Sequence, residues 1–139
     1  PGLIVKGAKE QTLGDFYKDK LRIATPNVDK IVGELSGGNQ QKVVIAKWLA
    51  TACHFLIFDE PTRGIDVGAK AEIYQLMDEL AAEGYGILMI SSELNEVIGV
   101  SDRVYVMREG EIRAELDHTE LSQERVMSHA IEGGEAKRE

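Results

Sequence analysis

Two short stretches of this chain carry side chains that could do phosphate chemistry. Residues 35–42 read Leu-Ser-Gly-Gly-Asn-Gln-Gln-Lys, and residues 55–66 read Phe-Leu-Ile-Phe-Asp-Glu-Pro-Thr-Arg-Gly-Ile-Asp. Ser36, Gly37 and Gly38 lead into a pattern of helical period, so they stand at a helix N-terminus. Unpaired N–H groups and a partial positive charge collect there. Glycine lets an anion approach the backbone, and the Ser36 hydroxyl can donate to a phosphate oxygen. A plain N-cap, with Ser36 bonded to its own helix, uses the same residues. Asp59 and Glu60 close an apolar run of strand length. Ligands of open α/β sheets gather at that end of the strands. In a nucleotide site Asp59 would hold a divalent cation and Glu60 would orient an attacking water. The competing reading is an acidic pair that ends a strand and enters a proline turn.

Regular elements must position these groups. Val44, Ile45, Trp48, Leu49 and Ala52 recur at spacings of three and four, which predicts a helix over 38–52 with Trp48 in the core. Phe55–Phe58 and Ile87–Ile90 are continuous apolar runs, as expected of strands covered on both faces. Ile73, Leu76, Met77 and Leu80 predict a helix over 67–83, capped by Asp66 and ended by Gly84. Upstream, Gln11–Lys20 and Val28–Val32 read as helices, the second capped by Thr25 or Asn27 and ended by Gly33. Downstream come a short helix (Glu93–Val100), a hairpin (Arg103–Met107 and Glu111–Leu116, turning at Arg108-Glu109-Gly110) and a terminal helix (Thr119–Ile131). Alternating strands and helices indicate an α/β fold with a mostly parallel sheet and flanking helices.

Bulk properties narrow the class. The chain has 139 residues, 43% hydrophobic and 29% charged, the balance of an ordinary globular domain. No apolar run approaches the roughly 20 residues of a membrane-spanning helix. A net charge of −8 disfavours nucleic acid as a partner, since phosphate contacts need clustered Lys and Arg. A single cysteine, Cys53, rules out an internal disulfide and reads as a small buried residue. The three histidines, His54, His118 and His129, lack metal-ligand spacing. The chain opens Pro-Gly-Leu-Ile-Val-Lys, with neither an initiator Met nor a secretory leader, and reads as an excised or partial chain.

From about Leu21 to Ile131 the sequence resembles the ATP-binding cassette of ABC transporters. Leu35–Lys42 is similar to the signature motif, and Phe55–Thr62 to the Walker B strand and the segment after it. Asn39-Gln40-Gln41-Lys42 and Pro61–Lys70 look most like the carbohydrate (ribose/galactose-type) importer branch. The resemblance implies a partial P-loop NTPase fold with the P-loop strand absent. It implies a remnant of the helical subdomain over 1–35, part of the ATPase core over 36–118, and a C-terminal helix with a disordered tail over 119–139. It also implies ATP and Mg²⁺ as cofactors. Ser36, Gly37, Gly38, Asn39 and Gln40 would meet the γ-phosphate of ATP held by an opposing cassette. Asp59 would serve the metal, Glu60 the attacking water, and Asp66 the loop that links the two sites.

Two departures accompany the resemblance. Most members carry a histidine after the switch strand, and here the position is Ser92, a hydroxyl that can donate one hydrogen bond and carries no charge. That pattern agrees with the C-terminal part of the second cassette of a double-cassette sugar importer, one of whose sites is degenerate. No Gly-x-x-x-x-Gly-Lys-Ser/Thr occurs in the chain, so nothing in it cradles the α- and β-phosphates. The isolated chain is therefore expected to be inactive and to fold poorly, with an open edge at 87–90. The implied partners are a second cassette, a transmembrane permease touched through the segment before Ser36, and, indirectly, a periplasmic sugar-binding protein. The implied location is the cytoplasmic face of the inner or plasma membrane, as a peripheral subunit. Two alternatives stand beside this: a soluble ABC-type ATPase acting on ribosomes or DNA, and a non-catalytic fragment that contributes only the signature turn in trans.

Overall fold

Leu56 and Phe58 alternate with Phe55, Ile57 and Asp59 along the first strand, and that alternation organises the first half of the structure. The computed structural model describes residues 7–131; the expected tail over 132–139 lies outside them. The chain divides into two units, the first ending at Ile90 and the second beginning at Ser91.

In the first unit the order is α1 (Gly7–Lys20), a 3₁₀ turn (Val32–Glu34), α2 (Gly37–Leu49), β1 (Phe55–Asp59), α3 (Val67–Ala82) and β2 (Gly86–Ile90). β1 and β2 pair in parallel, Leu56 beside Ile87 and Phe58 beside Met89. These four residues share one face, which packs on α2 and α3 around Ile45, Leu49, Ile73, Leu76, Met77 and Leu80. The α3 stripe is as the sequence predicts. Its end is a Schellman motif: Gly84 is left-handed (φ +94°), its N–H reaches Ala81 and the Tyr85 N–H reaches Leu80. A hydrogen bond to Glu83 holds the Lys20 ammonium above the ordinary lysine range and ties the end of α1 to the end of α3.

β1 is covered on one face only: Phe55 and Ile57 are 59% and 63% exposed, and Leu88 and Ile90 beside them are also exposed. Continuous apolarity reports that both faces suit burial, not that this stretch of chain supplies both covers. Val28–Val32 is not helical. The Asn27 carboxamide accepts from the Asp29 N–H, closing a turn on itself instead of capping a helix, and five residues are too few to repay helix nucleation. Gly33 accordingly lies inside the 3₁₀ turn and ends no helix. Trp48 is outside the core, 53% exposed, with the Lys47 ammonium 5.7 Å from its ring centroid. The buried stripe of α2 is Gly38, Lys42, Ile45 and Leu49, rotated from the expected one because Lys42 turns inward to a partner. Cys53 is half-buried against that core rather than fully enclosed.

In the second unit, α4 (Leu94–Val100) precedes an antiparallel hairpin of β3 (Arg103–Arg108) and β4 (Glu111–Asp117), followed by a 3₁₀ turn (His118–Glu120) and α5 (Gln123–Ile131). The hairpin is thus a separate sheet from the parallel pair. Its two-residue loop is Glu109-Gly110 with both φ positive, as a type I′ turn requires. Val104, Val106, Leu116 and Val126 form the core of this unit. α5 begins four residues later than expected, because the Ser122 hydroxyl accepts from the Arg125 N–H and starts the helix there.

Candidate functional site

Ser36 has extended backbone (φ −61°, ψ 154°) and stands immediately before α2. The first helical bond is from the Gln40 N–H to the Ser36 carbonyl, 2.9 Å. The N–H groups of Gly37, Gly38 and Asn39 therefore precede the helical ladder. Ser36 makes no side-chain cap bond, which decides against the plain N-cap. Instead its Oγ accepts from the Asn39 carboxamide at 2.8 Å. Asn39 cannot be turned the other way, because its Oδ1 accepts from the Ala24 N–H at 2.8 Å. The Ser36 hydroxyl accepts there and still carries a proton that it can donate. Asn39 acts on Ser36 and the 24 loop, and Gln40 Nε2 donates to the Leu35 carbonyl at 2.8 Å. Both amides shape the turn.

The carboxylates stand at the end of the parallel pair. Asp59 is exposed, the last residue of β1, opposite Ile90. Glu60 has left the strand: its φ is +48°, a region that disfavours side chains other than glycine. Its half-buried side chain is directed by that left-handed backbone, so the strand pleat does not set its direction. The Glu60 N–H donates to the Ile90 carbonyl at 2.8 Å, and the Arg63 N–H donates to the Glu60 carbonyl at 3.2 Å. Pro61 and Thr62, which follow it, are buried. Non-glycine residues held in this region cost on the order of 1–3 kcal/mol and gather where geometry matters.

Two turns then run from Glu60 to α3, the second closed by the Ile65 N–H on the Thr62 carbonyl. Asp66 caps α3, accepting from the Ala69 N–H at 3.0 Å. Asp66→Ala should therefore lower the unfolding free energy by about 1 kcal/mol, and Asp66→Asn by much less. Equal losses for the two in a denaturant titration would assign the effect to charge instead.

The structure brings the turn and this segment together within one unit. A Cβ at Gly37 would lie 3.9 Å from Ile65, and one at Gly38 only 2.7 Å from the Ala69 Cβ. Ser92 is exposed and belongs to the second unit. Beside it the Ser91 hydroxyl donates to the buried Glu96 at 2.6 Å. Sequence reasoning missed Glu96, and missed Lys42 as well; a charged residue at helical spacing from apolar neighbours was the available signal.

The described residues hold no group of three or more potential metal ligands. One or two carboxylates do suit Mg²⁺, which takes its other ligands from phosphates and water. Asp59, exposed at the end of β1, offers one such carboxylate.

The sequence profile described as ABC transporter matches residues 9–63. A ribose import ATP-binding protein, RbsA, of Oceanobacillus iheyensis is 55% identical over 129 residues, covering 93% of this chain and 26% of that protein. A putative ribose/galactose/methyl galactoside import ATP-binding protein of Pseudomonas fluorescens is 60% identical over 111 residues, 80% of this chain and 22% of its own length. The chain thus spans about a quarter of the length of the curated relatives it matches. Among solved structures, the ATP-binding cassette MJ1267 superposes with a TM-score of 0.78 at 30% identity, covering 93% of this chain and 53% of that one. The dimeric cassette MJ0796, at 21% identity and a TM-score of 0.69, shares the fold.

Proposed function

The chain belongs to the ABC transporter family of ATP-binding cassettes, and on that premise we propose that it supplies part of an ATPase driving sugar import. One observation carries the reading. The N-terminus of α2 has no side-chain cap, and Ser36 is held as an acceptor by Asn39, so hydroxyl and backbone N–H groups are left for an anion. Ser36, Gly37 and Gly38 would grip the γ-phosphate of ATP bound by a second cassette. Asp59 would hold Mg²⁺, which when bound neutralises phosphate charge. Glu60 would accept a hydrogen bond from the attacking water and draw its proton as the γ-phosphorus–oxygen bond forms. The bond from that phosphorus to the β,γ-bridging oxygen then breaks, leaving ADP and inorganic phosphate. Ser92 would take the switch position, where the resemblance implies a histidine, and offer a hydroxyl there.

The names of the similar proteins support ribose or a galactose-type sugar as cargo. The partners would be a second cassette, a transmembrane permease and, through it, a periplasmic sugar-binding protein. The chain would act at the cytoplasmic face of the membrane; no helix among the described residues is long and apolar enough to cross it. By itself the chain would contribute the signature turn in trans and hydrolyse nothing, since it holds no phosphate loop. Titration with Mg-ATP tests this. The full-length protein should bind and turn over ATP, and residues 1–139 alone should do neither. Tight ATP binding by the short chain would overturn the reading.

A further inference from the structure

Lys42 has no part in the proposed chemistry, yet it is among the most enclosed charged groups described. Its side chain is 6% exposed. Its ammonium donates to Glu72 Oε2 at 2.8 Å and to the Arg22 carbonyl at 3.2 Å. A buried cation is tolerated only when paired in this way. Glu72 is on α3, its side chain 63% exposed, so it covers the cation from the solvent side. Arg22 lies in the turn after α1, left-handed at φ +51°. One cation therefore joins three segments.

One helical turn earlier, α2 meets α3 again. The Gly38 position approaches Ala69 so closely that a Cβ there would lie 2.7 Å from the Ala69 Cβ. Gly38 and Lys42 are four residues apart on α2, and Ala69 and Glu72 three apart on α3, so each pair lies on one helix face. The two contacts are of different kinds: one is steric, the other ionic. Together they resist both sliding and rotation of α2 against α3. α3 in turn begins at Asp66, at the end of the two turns that start from Glu60.

We propose that the Lys42–Glu72 ion pair and the Gly38–Ala69 approach form a clamp that positions the Ser36–Gly38 turn against the Glu60–Asp66 segment. The phosphate-facing turn and the carboxylate of one cassette then move as one body. This rests on the ATPase reading above. Lys42 touches no nucleotide in it; it is a positioning residue acting through α2. Its loss should disturb turnover more than nucleotide affinity.

The test uses the full-length protein. Lys42→Met keeps the length of the side chain and removes its charge, while Lys42→Arg retains charge and donors. Lys42→Met should lower kcat about tenfold, the scale that changes in coupling networks produce, with the KM for ATP little altered. Amide hydrogen exchange over 37–41 should quicken in the same variant, and Lys42→Arg should restore both. Should Lys42→Met fail to fold, Glu72→Gln, which keeps an acceptor for Lys42, carries the same measurements. An unchanged kcat per folded molecule would overturn the clamp, as would a change confined to KM or an equal loss in Lys42→Arg. Absence of ATP turnover in the unsubstituted protein would overturn the functional reading itself, and the clamp with it.

Discussion

Replacing Glu60 by Gln should lower ATP turnover of the full-length protein by about 10²–10⁴-fold, the range that a positioned general base supplies. ATP binding should change little. Gln has the same shape and loses only the charge and the basicity. The backbone at Glu60 is set by its N–H on the Ile90 carbonyl, by the turn to Arg63 and by the buried Pro61 and Thr62. Gln keeps the length and one acceptor oxygen of the side chain, and these backbone contacts should persist. Glu60→Gly separates chemistry from folding more sharply. Glycine adopts φ +48° without steric penalty, so this variant should lose turnover with its turn still formed. Relief of left-handed strain is worth on the order of 1 kcal/mol. A Glu60→Gln protein that hydrolyses ATP at the parent rate would reduce Glu60 to a structural role.

Gly38→Val should be the most damaging single change in the phosphate-facing turn. Carbon atoms pack favourably at about 3.5–4.0 Å, and the new Cβ would stand 2.7 Å from that of Ala69. Ala69 has no side-chain torsion that could move its Cβ aside, so α2 and α3 must separate. Overpacking of this kind typically costs about 1–3 kcal/mol. The displaced turn should also cost turnover at the site it completes. Gly38→Ala with Ala69→Gly restores the space and should recover most of the stability. Gly37 is the control for sterics, because its nearest neighbour, Ile65, would be 3.9 Å away. If Gly38→Ala unfolds at the same denaturant concentration as the parent, the close approach does not constrain the helices.

Much of the architecture was legible because its causes are local. The Asp66 cap, the glycine after α3 and the Glu109-Gly110 turn each depend on a few consecutive residues, and each stands where the sequence puts it. Ile73, Leu76, Met77 and Leu80 are inward because no other face of α3 is apolar. The misreadings have distant causes. Trp48 looks like core by type and spacing, but α2 is turned by the partner that Lys42 finds on α3. Ser36 looks like a cap until Asn39, itself held by Ala24, takes the hydroxyl oxygen.

The sequence by itself determined the inventory: a glycine turn before a helix, two carboxylates after an apolar strand, and the membership of both in one family of cassettes. These are matters of residue type and order, which need no partner to be read. Only the tertiary structure decided the left-handed backbone of Glu60, the bare face that carries Phe55 and Ile57, and the requirement for glycine at 38. Each is imposed by atoms far along the chain: the Ile90 carbonyl, the two helices that cover one side of the sheet, and the Ala69 methyl. A strand or a turn can be recognised from its neighbours in sequence, but its exposure and clearance are set by its neighbours in space.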